Sequence, residues 1–582
     1  MAKNKKHLGS NYYPPNGPNF SLKSNEAFVK NNSLQANSVM APNGATLDLD
    51  FTKIQNLDSR FTFSRSSNAT FINSQGLVQY ADHNLVRNST FSSLTGWAPT
   101  GTGTTTNAGG VLTLSTSAAQ TQLYYSQTNA QGFQDNAPVS GRVYSASINI
   151  TAVSGGITYE ELITIAGTFS SVTRYKDGVL VSDGATVSTG LITIVWTSGG
   201  SNTLRIGISA SGTTLYPSAS VSMTLPRCVI GSQTQPTYFE SPVASTYHAP
   251  RFDYDPTTLT PRGLLIEGSG VNYVLQSGLN PFASPTWQTA GTTPPTVTAG
   301  YTGNGFAPDN TSRPTRVQFP VNGGSASRIT QGTSYATLPT TAAPYTVSVW
   351  MKSNTAGTNY TINILGTDGT GSAPTVTPTW QRFTLVNTSG TSLVGQIYIS
   401  NNSTSIAADV LIWGAQLEAG SGASSYIPTG TSTVQRAADS CVISGTNFSS
   451  WFNATQGTLL TTWSGTGITS GRYATINDGS ASNQIWVGYS ESAIYNGSFQ
   501  ASFGTAGTAN GKVALAYATN DAAWCLSGGA VATDTGVTLP TGLNQIALGN
   551  SQAGTAAINT SLKLIKYFPL RLPNATLQSL ST

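Results

Sequence analysis

From Leu47-Asp-Leu-Asp-Phe51 onward the chain alternates apolar and polar residues in short runs, about every ten residues, with Gly or Asn between them. This spacing predicts the short strands of β-sandwiches and jelly rolls. In Tyr345-Thr-Val-Ser-Val-Trp-Met351, the side chains of Tyr345, Val347, Val349 and Met351 share one face, and Thr346, Ser348, Trp350 and Lys352 share the other. The earlier run Tyr144-Ser-Ala-Ser-Ile-Asn-Ile150 places Tyr144, Ala146, Ile148 and Ile150 inward and Ser145, Ser147 and Asn149 outward. Trp350 therefore stands where the earlier run has an outward Asn. Trp413, in phase with Leu411, Ala415 and Leu417, and Trp196, in phase with Ile192 and Ile194, are predicted in cores.

The two runs belong to a longer internal echo. Phe61 to Arg65, Gly76-Leu-Val78, Asn84-Leu-Val-Arg-Asn-Ser89 and Trp97 are answered by Arg251 to Asp255, Gly263-Leu-Leu-Ile-Glu267, Asn272-Tyr-Val-Leu-Gln-Ser277 and Trp287. Leu204 to Ile208 parallels Gly395 to Ile399, and each unit closes alike, with Gly231 before Tyr238-Phe239 and Gly420 before Tyr426-Ile427. A duplicated unit follows. The predicted division is an arm over 1–44, a hairpin connector over 45–83, a jelly roll over 84–248, a second connector over 249–271, a second jelly roll over 272–440 and a distinct sandwich over 441–582. In the last part Asn477-Asp-Gly479 signals a hairpin, and Asn574 to Leu580 a short terminal helix.

Composition narrows the partners. Only 9% of the 582 residues are charged and the formal net charge is +4, too thin a field for phosphate recognition, so nucleic acid is not an expected partner. The one compact basic cluster, Lys3, Lys5, Lys6 and His7, lies with Tyr12 and Tyr13 in a polar, proline-bearing segment that reads as a solvated tail or as an arm ordering on a partner. Cys228, Cys441 and Cys525 are odd in number and far apart, which points to buried thiols rather than zinc ligands or a disulfide framework. No run reaches the length of about 18 apolar residues that a membrane span needs, and no apolar stretch follows Lys6, so neither membrane insertion nor a secretory signal is expected.

The run Arg251-Phe-Asp-Tyr-Asp-Pro256, then Gly263-Leu-Leu-Ile-Glu267, Asn272, a Ser and a Trp, resembles a module common in tailed-phage structural proteins, where it precedes a carbohydrate-binding-type jelly roll. The first copy lacks the Phe-Asp-Tyr and Leu-Ile-Glu wording. Lys512 to Tyr517, Asp534-Thr, Leu539-Pro540 and Ile565 to Leu572 with Ala575 to Gln578 are similar to the concanavalin-like or laminin-G-like jelly roll that ends many phage tail and fibre proteins. The resemblance implies an all-β fold of tandem antiparallel β-sandwiches. It names no ligand, because the same sandwich hosts lectins, enzymes and spacers.

Candidate chemistry is sparse. His7, His83 and His248 fall in a tail and two linkers, remote from any jelly-roll site. Glu160 and Glu161 are adjacent on a predicted strand and so point apart, which disfavours a glycosidase pair. Asp253 and Asp255 share a face and are a weak Ca2+ candidate; capping of their own hairpin is the favoured role, and no other cofactor or metal is expected. Sugars offer C–H faces and hydroxyls, which proteins meet with flat rings flanked by amides. Trp350 and Trp486, each on the polar side of its strand, are the candidate glycan contacts. The expectation is a virion surface protein, a tail fibre or short spike that recognises a host-surface glycan. It is not read as an enzyme. Its arm would dock on other virion proteins, it would form a homo-oligomer, a trimer foremost, and it would be released by host lysis. Two other readings stay open: a capsid decoration or head-spike protein without a specific ligand, and a depolymerase built from distant carboxylates.

Overall fold

The structure, a computed structural model, describes residues 44–117, 122–128, 141–212, 214–280, 282, 286–332, 344–366, 371–387, 396–465, 471–504, 507, 510–551 and 557–582. It is an all-β chain of tandem antiparallel sandwiches. Helix among the described residues is confined to Tyr159–Leu162, Thr446–Ser449 and Asn574–Ser581. Glu160 and Glu161 thus sit on a helical turn rather than the expected strand, and Glu161 is buried. Cys228, Cys441 and Cys525 are buried thiols.

The twin units share one topology. In the second, one sheet runs Thr296–Thr298, Thr315–Phe319, Ala408–Ala419, Tyr345–Ser353, Gln381–Asn387. The first repeats that order with Thr104–Ala108, Val111–Thr116, Ala219–Ile230, Val143–Ser154 and the leading half of Gly190–Ile208. The facing sheets match as well: Gln288–Ala290, Ser327–Gly332, Gln396–Asn401 and Asn363–Leu365 correspond to Ala98–Gly101, Leu123–Thr128, the trailing half of Gly190–Ile208 and the start of Ile163–Lys176. In the first unit Gly190–Ile208 is continuous and crosses both sheets, and the register shifts of its partner between Gly167 and Phe169 and between Ser170 and Thr173 supply the bend.

Side chains confirm the pairing. Asn84 donates to the carbonyls of Pro226 and Phe239 and accepts from the Val86 and Cys228 amides; Asn272 does the same with Ala415, Ile427, Val274 and Leu417. Gln127 clasps the backbone of Arg87 as Gln331 clasps that of Leu275. Ser89 meets the Tyr238 hydroxyl as Ser277 meets that of Tyr426. Each clasp satisfies buried backbone groups where the chain enters and leaves its sandwich, which is why these letters recur in the sequence.

The expected inward set Tyr144, Ala146, Ile148 and Ile150 lines the first core together with Trp196. Trp413 is buried as expected, but out of phase with Ala415 and Leu417 and in a separate cluster. A bulge places Gly414 at φ +66 between Trp413 and Ala415, so Ala415 and Leu417 face the core while Trp413 turns to the outer face. The same bulge occurs in the first unit at Leu225, φ +52.

Segments before residue 441 are built into the last sandwich. Leu47–Asp50 and Pro261–Ile266 pair end to end along Thr560–Phe568, and Thr62–Ser64 pairs with Ser440–Ser444. Leu47, Leu49, Phe51, Phe252, Leu264 and Ile266 enter its core. The hairpin Thr70–Ile72 with Val78–Tyr80 folds instead over the second jelly roll, where the Val78 amide donates to the Pro308 carbonyl at 2.9 Å. His83–Asn84 pairs with Tyr247–His248, so the first jelly roll leaves and rejoins the body through a two-stranded neck.

Candidate functional site

At the neck the imidazoles of His83 and His248 stack at 6.5 Å. His83 Nε2 accepts from the Ile230 amide at 2.8 Å, leaving Nδ1 to donate to the Ala81 carbonyl, which is the neutral tautomer. Burial, with Arg65 and His83 beside it, holds His248 well below the usual imidazole range.

Behind the neck the segments converge on a buried ionic knot. Arg251 donates to Glu267 at 2.5 Å and Asp439 at 2.6 Å, Arg65 to Asp439 at 2.8 Å, and Arg436 lies 3.0 Å from Glu267. Their side chains are at most 2% exposed. Ser425 gives both its amide and its hydroxyl to Glu267, and the Glu267 amide donates to Asp439. Burial alone would raise the Glu267 pKa, but Arg436 and Arg251 pull it down to about 2. The knot ties both connectors, the close of the second jelly roll and the entry to the last sandwich.

Asp253 and Asp255 do different work. Asp255 accepts from the Thr257 and Thr258 amides and pairs with Arg262 at 2.9 Å, so it caps its own hairpin. Asp253 is buried and accepts from the Ile72 amide at 2.8 Å; burial raises its pKa to about 6 against that hydrogen bond and Arg262. Among the described residues no group of three or more His, Cys, Asp or Glu is placed to hold a metal. Lys3, Lys5, Lys6, Tyr12 and Tyr13 lie outside the described residues.

Trp350 is on the outer face of its strand as its phase requires, yet it is only 6% exposed. Trp413, Tyr426, Val78 and Ala307 enclose it, and the Arg382 guanidinium stacks 4.4 Å from its ring. Period-two phase shows which side a residue leaves a strand; it does not show that a hairpin near residue 78 comes back to cover that side. Trp486 is likewise on the outer face, opposite the core residues Ile485 and Val487, and is 4% exposed. What covers it is itself open. Phe499, 57% exposed, meets Trp486 edge-on at 6.1 Å and Tyr495 at 5.3 Å, while Arg472 stacks 3.9 Å from the indole and donates to Gln484. Asn496 and Gln500 flank the ring pair, joined at 2.8 Å and anchored on Thr538. The result is an aromatic rise edged with amides on the outer face of Asn483–Gly488, Ser492–Asn496 and Phe499–Phe503. Phe499 was missed in the sequence, although the hairpin signal Asn496-Gly497 sets Tyr495 opposite it.

Fold and site together define a tandem β-sandwich chain with one exposed aromatic face on its last module. No family model matches the sequence, and no curated protein matches it. Among solved structures, it is similar to the N-terminal CBM22-1-CBM22-2 tandem domain of Paenibacillus barcinonensis Xyn10C, at 11% identity and TM-score 0.22, over 58% of this chain and 98% of that one. It is also similar to the enzymatically active domain of bacteriophage CBA120 tailspike protein 4, at 22% identity and TM-score 0.19, over 25% of this chain and 21% of that one. Neither likeness bears on function at these TM-scores.

Proposed function

We propose that the chain is a tailed-phage virion surface protein, a tail fibre or short spike, whose C-terminal sandwich recognises a host-surface glycan. The observation that carries this reading is Phe499, a large aromatic left 57% exposed beside Tyr495 and Trp486, with the amides of Asn496 and Gln500 alongside. Such a surface suits the C–H face and hydroxyls of a sugar. The segment over 1–44 docks the chain on other virion proteins, and the chain works as a homo-oligomer, a trimer foremost. Binding is favoured over hydrolysis because the clustered carboxylates Glu267, Asp439 and Glu418 are committed to arginines and serines, whereas glycosidases need an open pair flanking the scissile bond.

A glycan array probed with the full chain, Phe499→Ala and Trp486→Ala tests the reading. Retention of a defined sugar by the full chain, weakened at least about tenfold by Phe499→Ala, is expected, in line with the 1.4 kcal/mol scale of one lost ring contact. Absence of any sugar binding favours capsid decoration instead, and shortening of a polysaccharide during incubation favours a depolymerase.

A further inference from the structure

The two jelly rolls close alike, but Arg227 of the first stands where the second has Gln416. Hydrogen bonds align the closing segments residue by residue. Tyr238 matches Tyr426 through Ser89 and Ser277, Phe239 matches Ile427 through Asn84 and Asn272, and the Ser241 and Thr429 amides donate to those serines at 2.8 Å. Strand register then sets Arg227 opposite Ser147 as it sets Gln416 opposite Ser348.

In the second unit Gln416 Oε1 accepts from the Ile427 amide at 2.7 Å. Arginine has no acceptor to offer. The Phe239 amide, twin of that of Ile427, is left without an acceptor among the described residues. The Phe239 carbonyl takes the Asn84 side chain at 2.8 Å, as the Ile427 carbonyl takes that of Asn272, so the amide is turned the same way, toward Arg227.

Arg227 is only 8% exposed, and its side chain makes neither a hydrogen bond nor a salt bridge among the described residues. Its Nε is buried, while the Nη end keeps contact with solvent, which gives a ligand access. Ser147 is engaged with Thr193 at 2.9 Å, Glu240 is exposed and joins no salt bridge, and the Tyr238 ring lies 6.0 Å from the guanidinium. Burial draws Arg227 down to about 10, with only the Tyr238 phenol opposing. Burial would lower Arg251 too, but Asp439 and Glu267 hold it up. A desolvated guanidinium with no anion, next to an amide with no acceptor, is a site short of one negative group.

We infer that the first jelly roll binds a carboxylate here, its oxygens bridging the Arg227 guanidinium and the Phe239 amide where the second jelly roll carries its own amide oxygen, with the Tyr238 ring alongside. A single arginine balances a monoanion. A dianion would be left half answered.

Ligand-observed saturation-transfer NMR on the full chain, titrated with acetate, glucuronate and their neutral amides, tests the site beside Arg227→Gln and Phe499→Ala. At least one of the two carboxylates should bind, and its amide should bind at least about tenfold more weakly, because the pairing is charge-assisted. Binding of acetate assigns the site to the carboxylate alone, and binding of glucuronate only to a sugar-borne one; both uphold the inference. Arg227→Gln restores the residue of the second unit and gives the Phe239 amide an acceptor. It should melt no lower than the parent chain while losing the carboxylate at least about tenfold. Phe499→Ala should leave binding intact, so this site stands or falls apart from the aromatic face. The inference is overturned if neither carboxylate binds, if amide and acid bind alike, if Arg227→Gln binds as the parent does or melts lower, or if Phe499→Ala abolishes binding.

Discussion

At the scale of single residues, two buried carboxylates a short distance apart oppose each other in their response to pH. Glu267 is held as an anion by Arg436 and Arg251, with its pKa down to about 2. The stability it contributes is complete above its unfolded value and is lost as pH falls toward 2. Asp253, raised by burial to about 6, behaves in reverse: it is comfortable when protonated, and its contribution is lost as pH rises through 6. Asp253→Asn keeps an acceptor for the Ile72 amide and removes the charge. It should stabilise the chain at pH 7 by up to about 3 kcal/mol and leave it unchanged near pH 3.5. Glu267→Gln should destabilise at pH 7 by about 3–5 kcal/mol, because Arg251 and Arg436 then lose their shared anion. Denaturant melts of the three chains at both pH values check the opposite signs.

At the scale of elements, the bulge at Gly414 decides where two tryptophans go. A Cβ there would meet the Trp350 ring at 2.7 Å, and the left-handed backbone alone costs other residues about 1–2 kcal/mol. Gly414→Ala should lower the melting temperature and shift the tryptophan fluorescence as the Trp350, Trp413 and Tyr426 cluster loosens; an unchanged melt and spectrum would mean that the bulge is not under this constraint. The strands themselves were legible from period two. The twin strands Tyr144 to Ile150 and Tyr345 to Met351, the Asn477-Asp-Gly479 hairpin and the terminal helix all lie where alternation and turn residues put them. The phase error at Trp413 and the strand expected at Glu160 came from a single left-handed glycine and a four-residue turn, which alternation does not encode.

At the scale of the whole molecule, sequence order and spatial order part company. The first jelly roll hangs from a two-stranded neck, while Leu47–Asp50, Thr62–Ser64 and the Arg251–Tyr254 hairpin complete a sandwich whose remaining strands run from Ser440 onward. Residues 441–582 expressed alone lack six buried core side chains from Leu47 to Ile266 and should be markedly less stable than the full chain, or aggregate. A fragment that melts cooperatively at the temperature of its parent would show those strands to be dispensable. None of this was legible locally, because pairing between residues some hundreds apart leaves no spacing signal. The arginines and carboxylates of the knot did stand in the sequence, and in a chain with 9% charged residues their burial marks the hub. Under the proposed reading, function turns on the open aromatic face. Hydroxyl-radical footprinting of the full chain with a glycan it retains tests it most directly: Phe499 and Tyr495 should be protected from oxidation in the complex, and a complex that forms while both rings oxidise as in the unbound chain would contradict recognition through this face.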